Sequence, residues 1–256
     1  MKEVKLNKHM YDNNSSIFQR YVSLTTQKPI LVDKVISKLD NNFLNREMHF
    51  LDIGCGDGIV TMPIIETLNK TSKVIATCIE PSSDLLKDFK SMTTMNIEFI
   101  NKDVESLDQL PKSDFILLSH VLPYISDRYI FLDKVIEALN PNGRALIVVS
   151  NPNGDDLKVK NMVLNKESDT SLSTTLQNIL NKQKISFNVE MVESTIDVSG
   201  VTEMNEDGKT IIEFFKHLKF NDISDDDIQK IRHTVLNIAN EKGQLIKRED
   251  YIWIEK

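Results

Sequence analysis

The stretch "FLDIGCGDGIV", from Phe50 to Val60, places three of the protein's 8 glycines within five positions. Before these glycines, "MHFLDI" is a short apolar run, which is typical of a buried β-strand. After them, "GIVTMPIIETLNK" has apolar residues at helical spacing. Glycines at such a junction permit unusual backbone angles and leave the backbone accessible. The stretch predicts a tight strand-to-helix turn at the sheet edge where open α/β proteins bind ligands.

Strand and helix patterns alternate along the chain that follows this turn. Apolar strand patterns occur in "KVIATCIEP", "IEFINKD", "SDFILLSHVL" and "RALIVVSNP". Helical patterns such as "SSDLLKDFKSM" and "DRYIFLDKVIEALN" lie between them. This alternation predicts an α/β fold: a doubly wound, Rossmann-like, seven-stranded and mostly parallel sheet with helices on both faces.

The two ends of the chain differ from this alternating centre. Helices are predicted near residues 16–24 and 30–39, with a break at "TTQKP". After Pro152 the polar segment "NGDDLKVKNM" is interpreted as a loop, and amphipathic helices and late strands follow, ending in "DYIWIEK".

These patterns divide the chain into three predicted parts. Residues 1–30 form an N-terminal helical lid, and residues 31–152 form the cofactor-binding core. Residues 153–256 add late strands to the core together with substrate-binding insertions, which we expect to form a small helical substrate lobe.

The composition excludes several classes of function. A net charge of −7 without a dense basic run disfavours nucleic acid as a partner. No stretch approaches the roughly 20 apolar residues that span a bilayer, so no membrane partner is expected. Two cysteines, Cys55 and Cys78, without a CxxC motif fit a reducing compartment, and we expect a cytoplasmic protein. The sequence carries no signal for its oligomeric state.

Two classes of cofactor compete for the glycine turn. The dinucleotide fingerprint is GxGxxG with an acidic residue about 20 positions further on. This chain instead has GxGxG, with Asp52 in the preceding strand and Glu80 24 residues after Gly56. An ionised carboxylate at Glu80 could accept hydrogen bonds from two ribose hydroxyls in either class. The glycine spacing and Asp52 favour a cofactor other than a dinucleotide.

The series "LDIGCGDG", "CIEP", "NKDVESL" and "FILLSHVLPYI" resembles the motifs of class I S-adenosylmethionine-dependent methyltransferases over about residues 51–150. The resemblance implies S-adenosylmethionine as cofactor, with Asp52 and the glycine loop at its methionine end and Glu80 at its ribose. The implied loop residues are Gly54, Gly56 and Gly58. The implied adenine neighbours are Asp103, Val104 and Ser106, and the residues facing the methyl group are Ser119 and His120.

The segments "FQRYVSLTTQ", "VVSNPNGDDL", "ESTIDVSG" and "YIWIEK" resemble the histamine N-methyltransferases, which implies an amine or imidazole acceptor. Tyr124 keeps an aromatic residue of that family. Gln27 stands where the family has a substrate-binding glutamate, His120 where it has a glutamine, and Lys247 about where it has an asparagine. The missing carboxylate removes the partner of a cationic amine, so histamine itself is not expected.

His120 is the leading candidate for a catalytic base, because the pKa of a histidine ordinarily lies near physiological pH. Its alternative role is to hold the end of a strand by bonding the backbone. Tyr124 either hydrogen-bonds the substrate or forms a pocket wall. Tyr11, Phe18 and Tyr21 are expected to line a lid over the substrate, and packing onto the domain is the alternative for Phe18 and Tyr21. Gln27 either binds substrate or lies in a surface loop.

The acidic pair Asp155 and Asp156 has two interpretations. The pair could hold a metal ion, or it could be solvated in a polar loop. No matching set of ligands follows in the sequence, so the loop is preferred and no metal is expected. The resulting hypothesis is a small-molecule methyltransferase that acts on an amine or imidazole nitrogen. The alternatives are methyl transfer to a carboxylate or hydroxyl, a non-catalytic methyltransferase-like module, and a dehydrogenase.

Overall fold

One seven-stranded sheet forms the centre of the part of the chain that the structure, a computed structural model, describes: residues 15–39, 46–164, 172–216 and 218–256. The strands lie in the order β3-β2-β1-β4-β5-β7-β6. β7 runs antiparallel to both of its neighbours, and the other pairs are parallel. The strands are β1 (Glu47–Ile53), β2 (Lys73–Ile79), β3 (Ile97–Ile100), β4 (Ser113–Ser119), β5 (Leu139–Ser150), β6 (Phe187–Asp197) and β7 (Gln244–Glu255). The predicted seven-stranded, mostly parallel sheet is confirmed.

Helices cover both faces of this sheet. The helices are α1 (Ser15–Ser23), α2 (Gln27–Lys38), α3 (Thr61–Leu68), α4 (Ser83–Met92), α5 (Arg128–Ala138), α6 (Asp155–Leu164), α7 (Leu172–Lys182), α8 (Gly200–Glu203), α9 (Glu206–Lys216) and α10 (Asp225–Ile238). Helices α2, α3 and α4 pack on one face and α5 and α7 on the other. Strand β1 therefore buries alternate side chains in different cores: Phe50 on the first face, and Leu51 and Ile53 on the second. This double burial explains why the strand is an almost continuous apolar run.

A third core joins the helices outside these two layers. Side chains of α1, α6, α8, α9 and α10 meet there, and the C-terminal residues of β6 and the first residues of β7 contribute Ile196 and Leu245. Tyr21 of α1 stacks on Phe214 of α9, with ring centroids 3.4 Å apart. The N-terminal helix is thus attached to the C-terminal helices. That these helices form a substrate lobe, and that residues 1–30 act as a lid, stay predictions.

The break predicted at "TTQKP" is shorter than expected. Helix α2 begins at Gln27, so the connection from α1 is limited to residues 24–26. Pro29 falls in the first turn of α2, where a missing backbone N–H removes no intrahelical hydrogen bond. The interpretation of Gln27 as a surface loop residue is therefore wrong, since Gln27 is buried in this first turn.

Two other boundaries also differ from the sequence pattern. The polar segment read as a loop forms helix α6, in which Asp156 is buried and the Asp155 carboxylate accepts the Ile246 backbone N–H. The interpretation of this acidic pair as a solvated loop is wrong. Strand β7 begins at Gln244, six residues before the predicted "DYIWIEK", because residues 244–249 pair with β6 despite their charges.

In the described part of the chain, no helix combines the length and apolar character needed to cross a bilayer.

Candidate active site

The glycine turn after β1 forms one wall of a cavity of about 290 Å³ at the carboxyl edge of the sheet. Gly54 and Gly56 have φ values of 74° and 57°, in the left-handed region that favours glycine. A Cβ on Gly54 would lie 2.6 Å from the Val121 side chain, and a Cβ on Gly56 would meet nothing within 4 Å. The turn therefore presents bare backbone to the cavity.

Gly58 has a different function in the same turn. Its φ is 80°, and a Cβ there would lie 2.4 Å from the ring of Phe89 on α4. Gly58 is not among the residues that line the cavity. The absence of a side chain at this position allows α4 to pack against the turn.

Glu80, the first residue after β2, ties the glycine turn to the next loop. Its carboxylate accepts the Gly56 N–H at 3.0 Å and the Ser82 N–H at 2.9 Å. Its side chain lines the cavity although it is only 7% exposed. Each carboxylate oxygen has more than one acceptor position, so further donors can bind at the cavity surface.

Asp52 is the second carboxylate beside the turn. It accepts a hydrogen bond from the Thr61 hydroxyl, and burial raises its pKa from 3.8 to about 7, against the opposing effects of Thr61 and Lys28. A cation placed in the cavity beside Asp52 would favour the ionised form. Asp52 therefore suits a positively charged part of a ligand.

The remaining residues predicted near the cofactor are not all at the cavity. Asp103, Val104 and Ser119 line it, whereas Ser106 is exposed and donates its hydroxyl to the Asp103 carbonyl. The Ser119 Oγ is buried and has no hydrogen-bond partner in the described residues. A buried hydroxyl of this kind is available to a ligand in the cavity. We call Asp52, Gly54, Gly56, Glu80 and Asp103 the glycine side of the cavity.

His120 follows β4 and projects into the other part of the cavity. Its φ of 60° is uncommon for a residue with a side chain and costs on the order of 1 kcal/mol or more. His120 Nε2 lies 2.5 Å from the Glu249 Oε1. The Glu249 carboxylate can only accept, which assigns the Nε2 proton to His120; Gln27 Nε2 lies 2.7 Å from the same nitrogen and donates to Glu249 as well. Burial lowers the pKa of His120, although Glu249 opposes this shift, which leaves the ring neutral and Nδ1 with a lone pair.

Glu249 lies directly beside His120. The sequence did not predict it as a site residue. It is 1% exposed and also accepts a hydrogen bond from Gln27 Nε2 at 2.7 Å. Burial by itself would raise its pKa, but Lys247 and His120 outweigh that effect and hold the pKa at about 2. Glu249 is therefore an anion that fixes the orientation of His120 and Gln27.

Three lysines line the same cavity as His120. Lys28, Lys160 and Lys247 all line the cavity, together with Asp156. Lys247 is buried, and its Nζ lies 3.4 Å from Glu249 and 3.9 Å from Asp156. Neither Lys28 nor Lys160 was predicted as a site residue. We call Gln27, His120, Lys160 and Lys247 the histidine side of the cavity, with Glu249 buried behind them.

Aromatic rings complete the walls of the cavity. Tyr21, Phe214 and Phe215 line it on the side of the helical core, and Tyr124 lines it from a short 3-10 helix after β4. The predicted residue Tyr11 lies outside the described residues. The structure thus brings Tyr21, Gln27, His120, Tyr124 and Lys247 to one cavity, and their roles stay predictions.

In the ranges described, His, Cys, Asp and Glu side chains do not form any group of three that could hold a metal ion. The acidic residues at the cavity are instead engaged with backbone groups, Thr61 or lysines.

The strand order with its glycine turn and acidic residue defines a Rossmann-like α/β cofactor-binding protein. Residues 51–145 match the family described as "Methyltransferase domain". This match covers 95 of the 256 residues and agrees with the resemblance to class I methyltransferases, whose methyl donor is S-adenosylmethionine.

A curated relative is the malonyl-[acyl-carrier protein] O-methyltransferase of Priestia megaterium (strain DSM 319 / IMG 1521). It is 26% identical over 143 residues, which cover 56% of this chain and 50% of the relative. This chain thus spans about half the length of the curated relatives it matches first.

Solved structures share the fold at low identity. The YcgJ protein of Bacillus subtilis has a TM-score of 0.58 at 18% identity, over 88% of this chain and 97% of its own. The plantazolicin methyltransferase BpumL in complex with S-adenosylhomocysteine has a TM-score of 0.50 at 15% identity, over 96% of this chain and 87% of its own. These similarities support the Rossmann-like fold.

Proposed function

We propose that this protein transfers a methyl group from S-adenosylmethionine to an oxygen of a small acceptor that binds beside His120. The observation that carries the proposal is the composition of one cavity. Its glycine side has the backbone and carboxylates expected for the cofactor, and its histidine side holds a neutral histidine fixed by a buried glutamate.

The residues of the glycine side fit the cofactor. Glu80 would accept the ribose hydroxyls, and Ser119 offers a buried hydroxyl without a partner in the described residues. Asp52 would face the cationic methionine end. When bound, S-adenosylmethionine supplies a methyl group on a positively charged sulfur, and the electron pair of the breaking C–S bond stays on that sulfur. Gly58 and Ser106 have no part in this proposal, because neither lines the cavity.

His120 would act as the base for a hydroxyl acceptor. Its Nε2–H is donated to Glu249, so Nδ1 is the atom that takes the acceptor's proton as the new oxygen–carbon bond forms. The adjacent Glu249 anion stabilises the imidazolium that results. A carboxylate acceptor would need no proton removal, and His120 would then serve as a hydrogen-bonding contact. Tyr21 and Tyr124 would form walls around the acceptor.

An amine or imidazole nitrogen is the second candidate acceptor, and the resemblance to histamine N-methyltransferases motivates it. Glu249 supplies a carboxylate beside Gln27 that the sequence did not predict. That carboxylate, however, is already bonded to His120 and Gln27 and lies 3.4 Å from Lys247. A cationic amine would also meet the neighbouring lysines. An oxygen acceptor therefore fits this cavity better, and the relative from Priestia megaterium carries the name of an O-methyltransferase.

Calorimetric titration with S-adenosylhomocysteine tests the cofactor. We expect saturable binding, and NADH should bind no more than weakly; the opposite preference would favour a dehydrogenase. Turnover of S-adenosylmethionine with a panel of phenols, carboxylic acids, aromatic amines and imidazoles then tests the acceptor. Products methylated only on nitrogen would reverse the order of the two candidates. Cofactor binding without any product would favour a non-catalytic module.

A further inference from the structure

We propose that Lys160 and Lys247 form a binding site for an anionic group, a carboxylate or a phosphate, on the methyl acceptor. The inference rests on the proposed function, because it assigns a substrate class to the same cavity. It predicts that the acceptor carries this anion in the region of the cavity where His120 lies.

The two lysines lie on the histidine side and come from distant parts of the chain. Lys160 is on α6 and Lys247 on β7, and both line the cavity. The charges that act on Lys160 are those of Asp156 and Lys247, with no contribution from the carboxylates of the glycine turn. Neither lysine belongs to the strands that carry the glycine turn and Glu80.

Lys247 has ion-pair neighbours but lacks hydrogen bonds. Its Nζ is 3.4 Å from Glu249 and 3.9 Å from Asp156, and no described residue accepts a hydrogen bond from it. Lys247 lines the cavity, so its ammonium keeps donors that an acceptor in the cavity can use. An anion in the cavity would accept these hydrogen bonds.

Lys160 adds a second positive charge near that of Lys247. It is half-buried, and within the described ranges no carboxylate lies within 4 Å of its Nζ. Burial lowers its pKa, and repulsion from Lys247 adds to this effect. An anion bound by both lysines would relieve their mutual repulsion and favour both charged forms.

Tyr21 provides a third donor. Its hydroxyl is buried in the cavity wall and has no hydrogen-bond partner in the described residues. The nearby carboxylates Asp156 and Glu249 count against an anion, but Lys247 lies close to both, and Glu249 also accepts the His120 N–H. Burial raises the pKa of Asp156, and Lys247 opposes this shift. Together with Lys28, the lysines around this part of the cavity outnumber the two carboxylates.

Lys28 also lines the cavity but is not part of this site. Besides Glu249 and Lys247, its charged neighbours are Asp57 and Asp52 of the glycine turn. Lys28 therefore lies between the two sides, where it also compensates the carboxylates of the glycine turn.

A set of probes with one ring and different head groups tests the site. Benzoate, phenyl phosphate, benzamide and benzylamine are titrated calorimetrically into the protein, with and without S-adenosylhomocysteine. We expect benzoate or phenyl phosphate to bind about tenfold more tightly than benzamide and benzylamine, from charge-assisted hydrogen bonds. The tighter of the two anions identifies the head group as carboxylate or phosphate.

Lysine variants show whether the proposed residues cause this preference. Lys160→Met should weaken binding of the preferred anion about tenfold and leave benzamide unchanged. Lys158→Met is the matched control, because Lys158 is on the same helix but exposed and bonded to Asp155. Lys247→Arg keeps the charge beside Glu249 and should retain the preference for the anion.

Several results would overturn the site. The first is that benzamide or benzylamine binds as tightly as the two anions or more tightly. The second is that none of the probes binds. The third is that Lys160→Met leaves the affinity for the anion unchanged. The titration with S-adenosylhomocysteine separates this inference from the proposed function. An anion preference without cofactor binding would refute the methyltransferase proposal alone, and cofactor binding without anion preference would refute only the lysine site.

Discussion

The two sides of the cavity have opposite charge and are built in different ways. The glycine side comes from consecutive strands and carries carboxylates that backbone N–H groups and Thr61 hold in place. The histidine side joins α2, α6, β4 and β7 and carries lysines around a single strongly ionised glutamate. An acidic side suits a sulfonium cofactor with ribose hydroxyls, and a basic side suits an acceptor with an anion. Changes on one side should therefore leave binding at the other side intact.

His120→Asn should have the largest effect on turnover. Removing the base should lower kcat about 10²–10⁴-fold with a hydroxyl acceptor, because general-base catalysis has this magnitude. The affinity for S-adenosylhomocysteine should not change. Steady-state rates and calorimetry measure the two quantities. A large loss of cofactor affinity would show that the two sides are not independent.

Glu249→Gln should have the largest effect on stability. Removing this buried anion leaves Lys247 without its nearest counter-charge, and the free energy of unfolding should fall by about 3 kcal/mol at pH 7. The folded pKa of about 2 is below the ordinary 4.5. The stabilisation by this group is therefore present above about pH 4.5 and is lost as pH falls toward 2.

Urea denaturation across this range of pH measures the effect of Glu249→Gln. Glu255→Gln, in the same strand but exposed and bonded to Arg144, should change the free energy of unfolding by less than about 0.5 kcal/mol. If the two variants lost equal stability, Glu249 would not stabilise the fold as the counter-charge of Lys247.

Glu80→Ala should weaken the binding of S-adenosylhomocysteine by about 1–3 kcal/mol, from lost charge-assisted hydrogen bonds and a released Gly56. Glu98→Ala, which removes an exposed carboxylate on β3, is the control. Binding of benzoate at the histidine side should survive both changes. Unchanged cofactor affinity in Glu80→Ala would remove Glu80 from the ribose role.

The smallest expected effect is the dependence of ligand binding on pH that Asp52 causes. Burial raises its folded pKa to about 7, so its protonated form stabilises the fold at low pH and this contribution is lost as pH rises through 7. A cationic ligand favours the ionised form, so S-adenosylhomocysteine should bind up to about tenfold more tightly at pH 8 than at pH 6. Calorimetry in two buffers should detect proton release near pH 7. Asp52→Asn should abolish both effects.

The glycine side could largely be predicted from the sequence. Its residues belong to local strand–turn–helix units, and parallel strands bring their carboxyl ends to one edge of the sheet. Two details depended on packing. Gly58 faces Phe89 and Ser106 bonds the backbone of Asp103, and spacing alone does not distinguish such neighbours from residues that line a cavity.

The histidine side could be predicted only in part. Gln27, His120, Tyr124 and Lys247 were suggested by resemblance, but Glu249 was missed because "QLIKRED" has no apolar alternation. The signal that was available is a period of two, in which Leu245, Lys247 and Glu249 share one face of the strand.

The sequence by itself determined the class of fold and the glycine turn, because apolar periodicity and glycine backbone angles are local properties. Only the tertiary structure decided the composition of the histidine side. The antiparallel register that pairs Lys247 with Ser194 and Glu249 with Val192 extends β7 through a charged segment. That register buries Glu249 against His120, where the carboxylate accepts the histidine N–H.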